Sequence, residues 1–175
     1  MLVTGTPGSG KTTLTQYAKS TGNDRFFDAD DIAKLCEWRE FETGKVLGYV
    51  TEQKETGLDE WYKKYGWYWR QDAMNDFLSK HPDAILCGSA ENITDFYHLF
   101  DRVIILKKSE EELLANLTSS DRTNPFGKTP EQRKNFIEWQ DYLINQAEKF
   151  QPVVLEGNNI AESYAAILKL AQYVH

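Results

Sequence analysis

Near its start the chain reads Gly5-Thr6-Pro7-Gly8-Ser9-Gly10-Lys11-Thr12-Thr13, and few stretches of that length restrict a fold more tightly. Glycines bracketing four residues, followed by Lys and Thr, form the phosphate-binding loop pattern. Gly5, Gly8 and Gly10 can take backbone angles that a Cβ forbids, so that successive N–H groups, from Thr6 and Ser9 through Thr13, turn inward around a phosphate. Lys11 supplies a point positive charge for the β- and γ-phosphates, and Thr12 a hydroxyl for the Mg²⁺ that bridges them. Leu2-Val3 reads as the short strand that must precede such a loop. Leu14, Tyr17 and Ala18 form the apolar stripe of a helix after it, whose N-terminus favours anions. An ordinary glycine-rich turn explains the glycines but not all the constrained positions in this strand–loop–helix context. The stretch predicts binding of a nucleoside triphosphate, ATP with Mg²⁺.

The remaining composition narrows the setting. The chain has 175 residues, long enough for one domain with a sizeable core and no staples. A formal net charge of -7 argues against a broad DNA- or RNA-tracking surface. Cys36 and Cys87 have neither metal-ligand nor disulfide-framework spacing. With a motif strand at the first residues and no long apolar run, the expectation is no signal peptide, no membrane span and a cytoplasmic setting.

Neither an internal repeat nor a linker divides the chain, so residues 1–175 read as a single domain. A first helix runs to about Ser20, and Phe26-Phe27 is a buried strand ending in Asp28-Ala29-Asp30-Asp31. A helix from about Asp31 is predicted next, carrying Ile32, Leu35 and Cys36 on one face. Residues 42–57 read mostly as loop, and residues 58–80 as helical, broken near Gly66. Ala84-Ile85-Leu86-Cys87 and Val103-Ile104-Ile105-Leu106 are continuous apolar strands of the kind buried on both faces. A short helix with Phe96, Tyr97 and Phe100 separates them. Ser109 with Glu112 predicts a capping box for a helix to about Thr118. Thr129-Pro130 caps a long helix after the polar loop 119–128. Val153-Val154-Leu155 and an amphipathic helix from Ile160 close the chain. Strands alternating with helices predict an α/β fold, a parallel five-stranded sheet with helices on both faces. Ligands of such sheets sit at the strands' carboxyl ends.

With these residues in hand, the chain resembles the small P-loop kinases that include adenylate, shikimate and gluconate kinases. The resemblance covers essentially the whole chain. It rests on the loop Gly5 to Thr12, the Phe27-Asp28-Ala29-Asp30 strand end, Trp69-Arg70, Gly88 after the third strand and Arg122 before the long helix. It implies the three-layer P-loop NTPase fold with strand order 2-3-1-4-5, a substrate-binding insertion at about residues 31–80 and a lid at about 119–128. It implies that Asp28 supports the Mg²⁺ shell and Asp30 meets an acceptor hydroxyl, although Asp30 or Asp31 would equally serve as a helix N-cap. Arg70, expected on the helical stripe of Ala73, Met74 and Phe77, would hold the acceptor or else snorkel to a surface salt bridge. The acid these kinases carry three residues later is Ala73 here.

Arg122 would close over the phosphates, and Asn116 stands where many relatives carry an Arg. Gly88, Ser89 and Asn92 would line the acceptor site, or form a plain strand-to-helix turn. Trp61, Trp67, Tyr68 and Trp69 would stack on a base or pack in the core, core packing being the simpler reading. The function these features point to is an ATP- and Mg²⁺-dependent phosphotransferase acting on a nucleotide, a nucleoside or another small metabolite. An ATP-binding regulatory or assembly module is the alternative.

Overall fold

The computed structural model describes residues 1–48, 58–121, 126–157 and 159–172. Its main sheet is parallel and five-stranded: β1 (Leu2–Thr4), β2 (Phe26–Asp28), β6 (Ile85–Cys87), β7 (Val103–Lys107) and β8 (Val153–Glu156). Their spatial order is β2-β6-β1-β7-β8, the expected 2-3-1-4-5 when these strands alone are counted in chain order. Strand β1 pairs on both sides, Leu2 facing Leu86 of β6 and Val103 of β7.

Alternation along each strand divides the core into two layers. Leu2, Leu86, Val103 and Ile105 pack with Met74 and Phe77 of α3 (Gln71–Lys80) and Leu143 and Ala147 of α5 (Pro130–Ala147). Val3, Ile85, Ile104 and Leu106 pack on the other face with Leu14 and Ala18 of α1 (Lys11–Ser20) and Ile167 of α6 (Ile160–Ala171). Burial on both faces is why these strands read as unbroken apolar runs. Helix α4 (Glu110–Thr118) carries the predicted capping box of Ser109 and Glu112. The Thr129 hydroxyl caps α5 through the Gln132 N–H, with Pro130 at the first turn. Among the described residues no helix is long and apolar enough to cross a membrane.

The insertion departs from the sequence expectation. In place of a helix from Asp31, a single 3-10 turn at Ala29–Asp31 is followed by β3 (Cys36–Glu40). Lys34 has φ of 64°, a left-handed backbone that no α-helix accommodates. The stretch predicted as loop contains β4 (Val46–Gly48), and residues 49–57 lie outside the described residues. Residues 58–80, predicted helical, are α2 (Leu58–Lys64), β5 (Tyr65–Trp69) and α3. Strands β4-β3-β5 form a separate antiparallel sheet, with Trp38 opposite Trp67 and Cys36 opposite Trp69. Five residues that are aromatic apart from Gly66 suit a pleated, half-buried surface, and cross-strand pairing outweighs the 3.6-residue pattern that continues into α3.

One side chain fastens this small sheet to the main body. Asn92 accepts from the Trp69 N–H at 2.9 Å and donates to the Trp69 carbonyl at 3.0 Å, as a neighbouring strand would. The Glu91 N–H adds a bond to the Trp67 carbonyl at 2.8 Å. Asn92→Ala leaves both Trp69 groups without these partners, which costs about 1–3 kcal/mol. Denaturant melts of the two proteins check that loss; equal midpoints would contradict the clamp.

Candidate active site

The phosphate-binding loop leaves β1 in the tightest part of the sheet. A Cβ on Gly5 would lie 2.6 Å from the Leu106 carbonyl oxygen and from Ser9 Oγ. Gly10, with φ of 101°, meets nothing within 4 Å, so its glycine serves the left-handed turn into α1 rather than a close approach. Thr6 and Ser9 are buried beneath the loop, while Gly8, Gly10, Lys11, Thr12 and Thr13 line a cleft of about 790 Å³ above it. Lys11 Nζ donates to the Gly5 and Thr6 carbonyls at 2.6 and 2.9 Å. The Asn116 amide donates to the Gly8 carbonyl at 2.8 Å, binding α4 to the loop. This is a contact that sequence reasoning missed.

Strand β2 brings its terminal acids to the same place. Thr12 Oγ1 donates to Asp28 Oδ2 at 3.1 Å, and the Asp30 N–H donates to Asp28 Oδ1 at 3.1 Å. Asp28 is therefore both the cap of the 3-10 turn and a neighbour of the loop hydroxyl. Asp30 accepts from the Trp67 indole N–H at 2.9 Å, which ties the insertion to the strand end. Burial raises the Asp28 pKa above its ordinary value, and the Asp30 carboxylate adds to the rise. The Asp30 N–H and the Thr12 hydroxyl oppose it. Two oxygen ligands side by side, Thr12 and Asp28, suit a hard cation such as Mg²⁺, which takes its other ligands from phosphate and water.

Gly88 and Ser89 line the cleft; Asn92 does not, being occupied with Trp69. A Cβ on Gly88 would lie 2.5 Å from the Ala29 Cβ and 2.7 Å from Trp69, so this glycine is a close approach. Arg70 is the residue before α3 rather than part of its stripe. Its guanidinium pairs with Asp72 at 2.5 Å and Glu37 at 3.8 Å, in a neighbouring recess that Asp30 also lines. Arg122 lies outside the described residues.

Glu91, which sequence reasoning passed over, also lines the cleft. Its carboxylate reaches solvent, yet enough protein crowds it that lost hydration raises its pKa. An acid following a continuous apolar strand was the available signal. Trp38, Tyr65 and Trp67 of the insertion and Phe136 and Trp139 of α5 complete the far wall.

No family model matches the chain, and no curated protein matches it either. Among solved structures, a shikimate kinase from Acinetobacter baumannii in complex with shikimate superimposes with a TM-score of 0.60. The two are 17% identical, over 99% of this chain and 94% of that one. The chain has the shikimate kinase fold. A shikimate kinase from Bacteroides thetaiotaomicron is 16% identical over 98% of this chain and 97% of its own, with a TM-score of 0.48.

Because its folded pKa is raised, Asp28 stabilises the fold below its unfolded value of about 3.8 and loses that contribution as pH rises through the folded value. At neutral pH its charge is a net cost. Asp28→Asn is therefore expected to melt higher than the parent at pH 7.5, the gain vanishing below pH 4. A lower melting temperature at pH 7.5 would contradict this balance.

Proposed function

We propose that the chain is an ATP- and Mg²⁺-dependent phosphotransferase acting on a small-molecule hydroxyl. The observation that carries this reading is the Thr12–Asp28 hydrogen bond. It joins the phosphate-binding loop to the acidic end of β2 within one cleft, so that metal-supporting and acceptor-facing groups adjoin. The fold shared with a shikimate kinase crystallised with its small-molecule substrate supports the same class.

In this reading the loop N–H groups take the β- and γ-phosphates, and Lys11 exchanges its bonds to the Gly5 and Thr6 carbonyls for phosphate oxygens. Thr12 and Asp28 would hold Mg²⁺, which supplies Lewis-acid charge to the transferring group when bound. Asp30 orients the acceptor hydroxyl and takes its proton, the Trp67 N–H fixing the carboxylate in place. The acceptor oxygen forms a bond to the γ-phosphorus while the bond from that phosphorus to the β–γ bridging oxygen breaks, and ADP leaves. Arg122 is assigned to the phosphates, where its charge gains value once water is excluded. Gly88 and Ser89 border the acceptor.

Lys11→Ala is expected to abolish ADP production without disturbing the fold, since its ammonium donates to the Gly5 and Thr6 carbonyls and the Ser9 hydroxyl of the loop rather than to the core. Arg122→Ala is expected to lower turnover by about 10²-fold or more, with a smaller effect on ATP affinity. Coupled ADP assays and circular dichroism read both; full turnover in the Lys11 variant would sink the assignment.

A further inference from the structure

The aromatic residues of the insertion differ in whether they reach the cleft. Trp61 and Trp69 are buried, and Trp69 meets Phe96 edge-on in the core. Trp67 and Tyr65 are only half-buried and line the cleft. Phe136 and Trp139, also half-buried, come to the same cleft from α5, one turn apart on a single helix face. Trp67 and Trp139 also pack against the core and Tyr65 against Trp61, yet these rings border the open cleft as well, and they come to it from two remote parts of the chain.

Among the described lining residues, charge beyond the loop has one sign. Asp28, Asp30, Glu91 and Asp121 line it, and among the described lining residues the one cation is Lys11, which belongs to the phosphates. Three basic groups of the insertion are engaged with acids away from the cleft. Arg70 is on Asp72 and Glu37, Arg39 is on Glu37 at 2.7 Å, and Lys64 is on Glu40 at 3.1 Å. An acceptor with its own carboxylate or phosphate would meet acids there, repelled by Glu91, with no described lining cation but Lys11 to pair it. Glu91, already short of hydration, would be driven further from ionisation. A flat ring with N–H donors meets the opposite reception: aromatic faces to stack on and carboxylates to accept its hydrogen bonds.

Resting on the phosphotransferase reading, we propose that the acceptor is a flat heterocyclic alcohol with N–H donors and no anionic group, the chemical class of the unphosphorylated nucleosides. The ring stacks among Trp67, Tyr65, Phe136 and Trp139, Glu91 accepts from its N–H groups, and its hydroxyl reaches Asp30. Transfer converts that hydroxyl to a phosphate monoester and releases ADP, the proton going to Asp30.

The test uses the full chain with Mg²⁺-ATP and adenosine, guanosine or cytidine, each beside its own 5′-monophosphate, with shikimate and gluconate as anionic non-aromatic acceptors. At least one nucleoside is expected to gain a phosphoryl group by mass spectrometry. Its kcat/KM should exceed that of its monophosphate, shikimate and gluconate by about tenfold or more, the size of one charged contact. Glu91→Gln should lower kcat/KM for that nucleoside about tenfold through KM, while the Kd of a nonhydrolysable ATP analogue stays unchanged. An anionic acceptor outperforming every nucleoside overturns the inference. So does a chain that binds the analogue yet phosphorylates none of the nucleosides. Failure to bind the analogue removes the phosphotransferase reading, and this inference with it.

Discussion

Strand β1 is short, but it is paired along both edges, and the site depends on that confinement. Its neighbours β6 and β7 hold Leu2 and Val3 in register, so the chain emerging after Thr4 has one direction to go. It must turn at Gly5, where the Leu106 carbonyl leaves no room for a Cβ, and re-enter the layer as α1. The phosphate-binding loop is thereby stretched between a strand it cannot slide along and a helix that packs through Leu14 and Ala18. The buried Lys108 continues the same support: its ammonium donates to the Gly157 carbonyl at 2.6 Å, and its backbone exchanges two hydrogen bonds with the Gln140 side chain. Rigid supports of this kind let a loop offer N–H groups to an anion without reorganising as it binds.

A parallel sheet delivers every strand's carboxyl end to one edge, and that is why residues far apart in sequence converge. Asp28 ends β2, Gly88 and Glu91 follow β6, and the loop follows β1. The convergence has an energetic cost, visible in the raised pKa values of Asp28 and Glu91. Burial opposes both charges, the Asp30 carboxylate adds to that opposition at Asp28 alone, and a cation beside Asp28 would relieve it.

How far the sequence revealed this arrangement varied with the range of the interactions involved. The loop, the two-faced strands Ile85–Cys87 and Val103–Lys107 and the caps at Ser109 and Thr129 are set by neighbours a few residues away. All of these could be read directly. The insertion could not. Ile32, Leu35 and Cys36 have helical spacing, but Lys34 turns left-handed and Cys36 pairs with Trp69, a partner over thirty residues on. Tyr65–Trp69 shares an apolar rhythm with the helix after it, and only pairing with β3 decides for strand. Arg70 lost its place on the α3 stripe for the same reason. Among the candidate site residues, Asp28, singled out by the resemblance, ends β2 beside the loop hydroxyl of Thr12. Asn92 was misjudged because its side chain imitates a strand, which no local pattern announces.

The proposed phosphotransferase requires the loop and Asp28 to form one site for a triphosphate and its metal. Calorimetric titration of the full chain with a nonhydrolysable ATP analogue, with and without Mg²⁺, addresses that most directly. The expected result is saturable binding that Mg²⁺ strengthens in the parent protein and strengthens much less in Asp28→Asn. Absence of binding, or affinity indifferent to both Mg²⁺ and the Asp28 carboxylate, would contradict it.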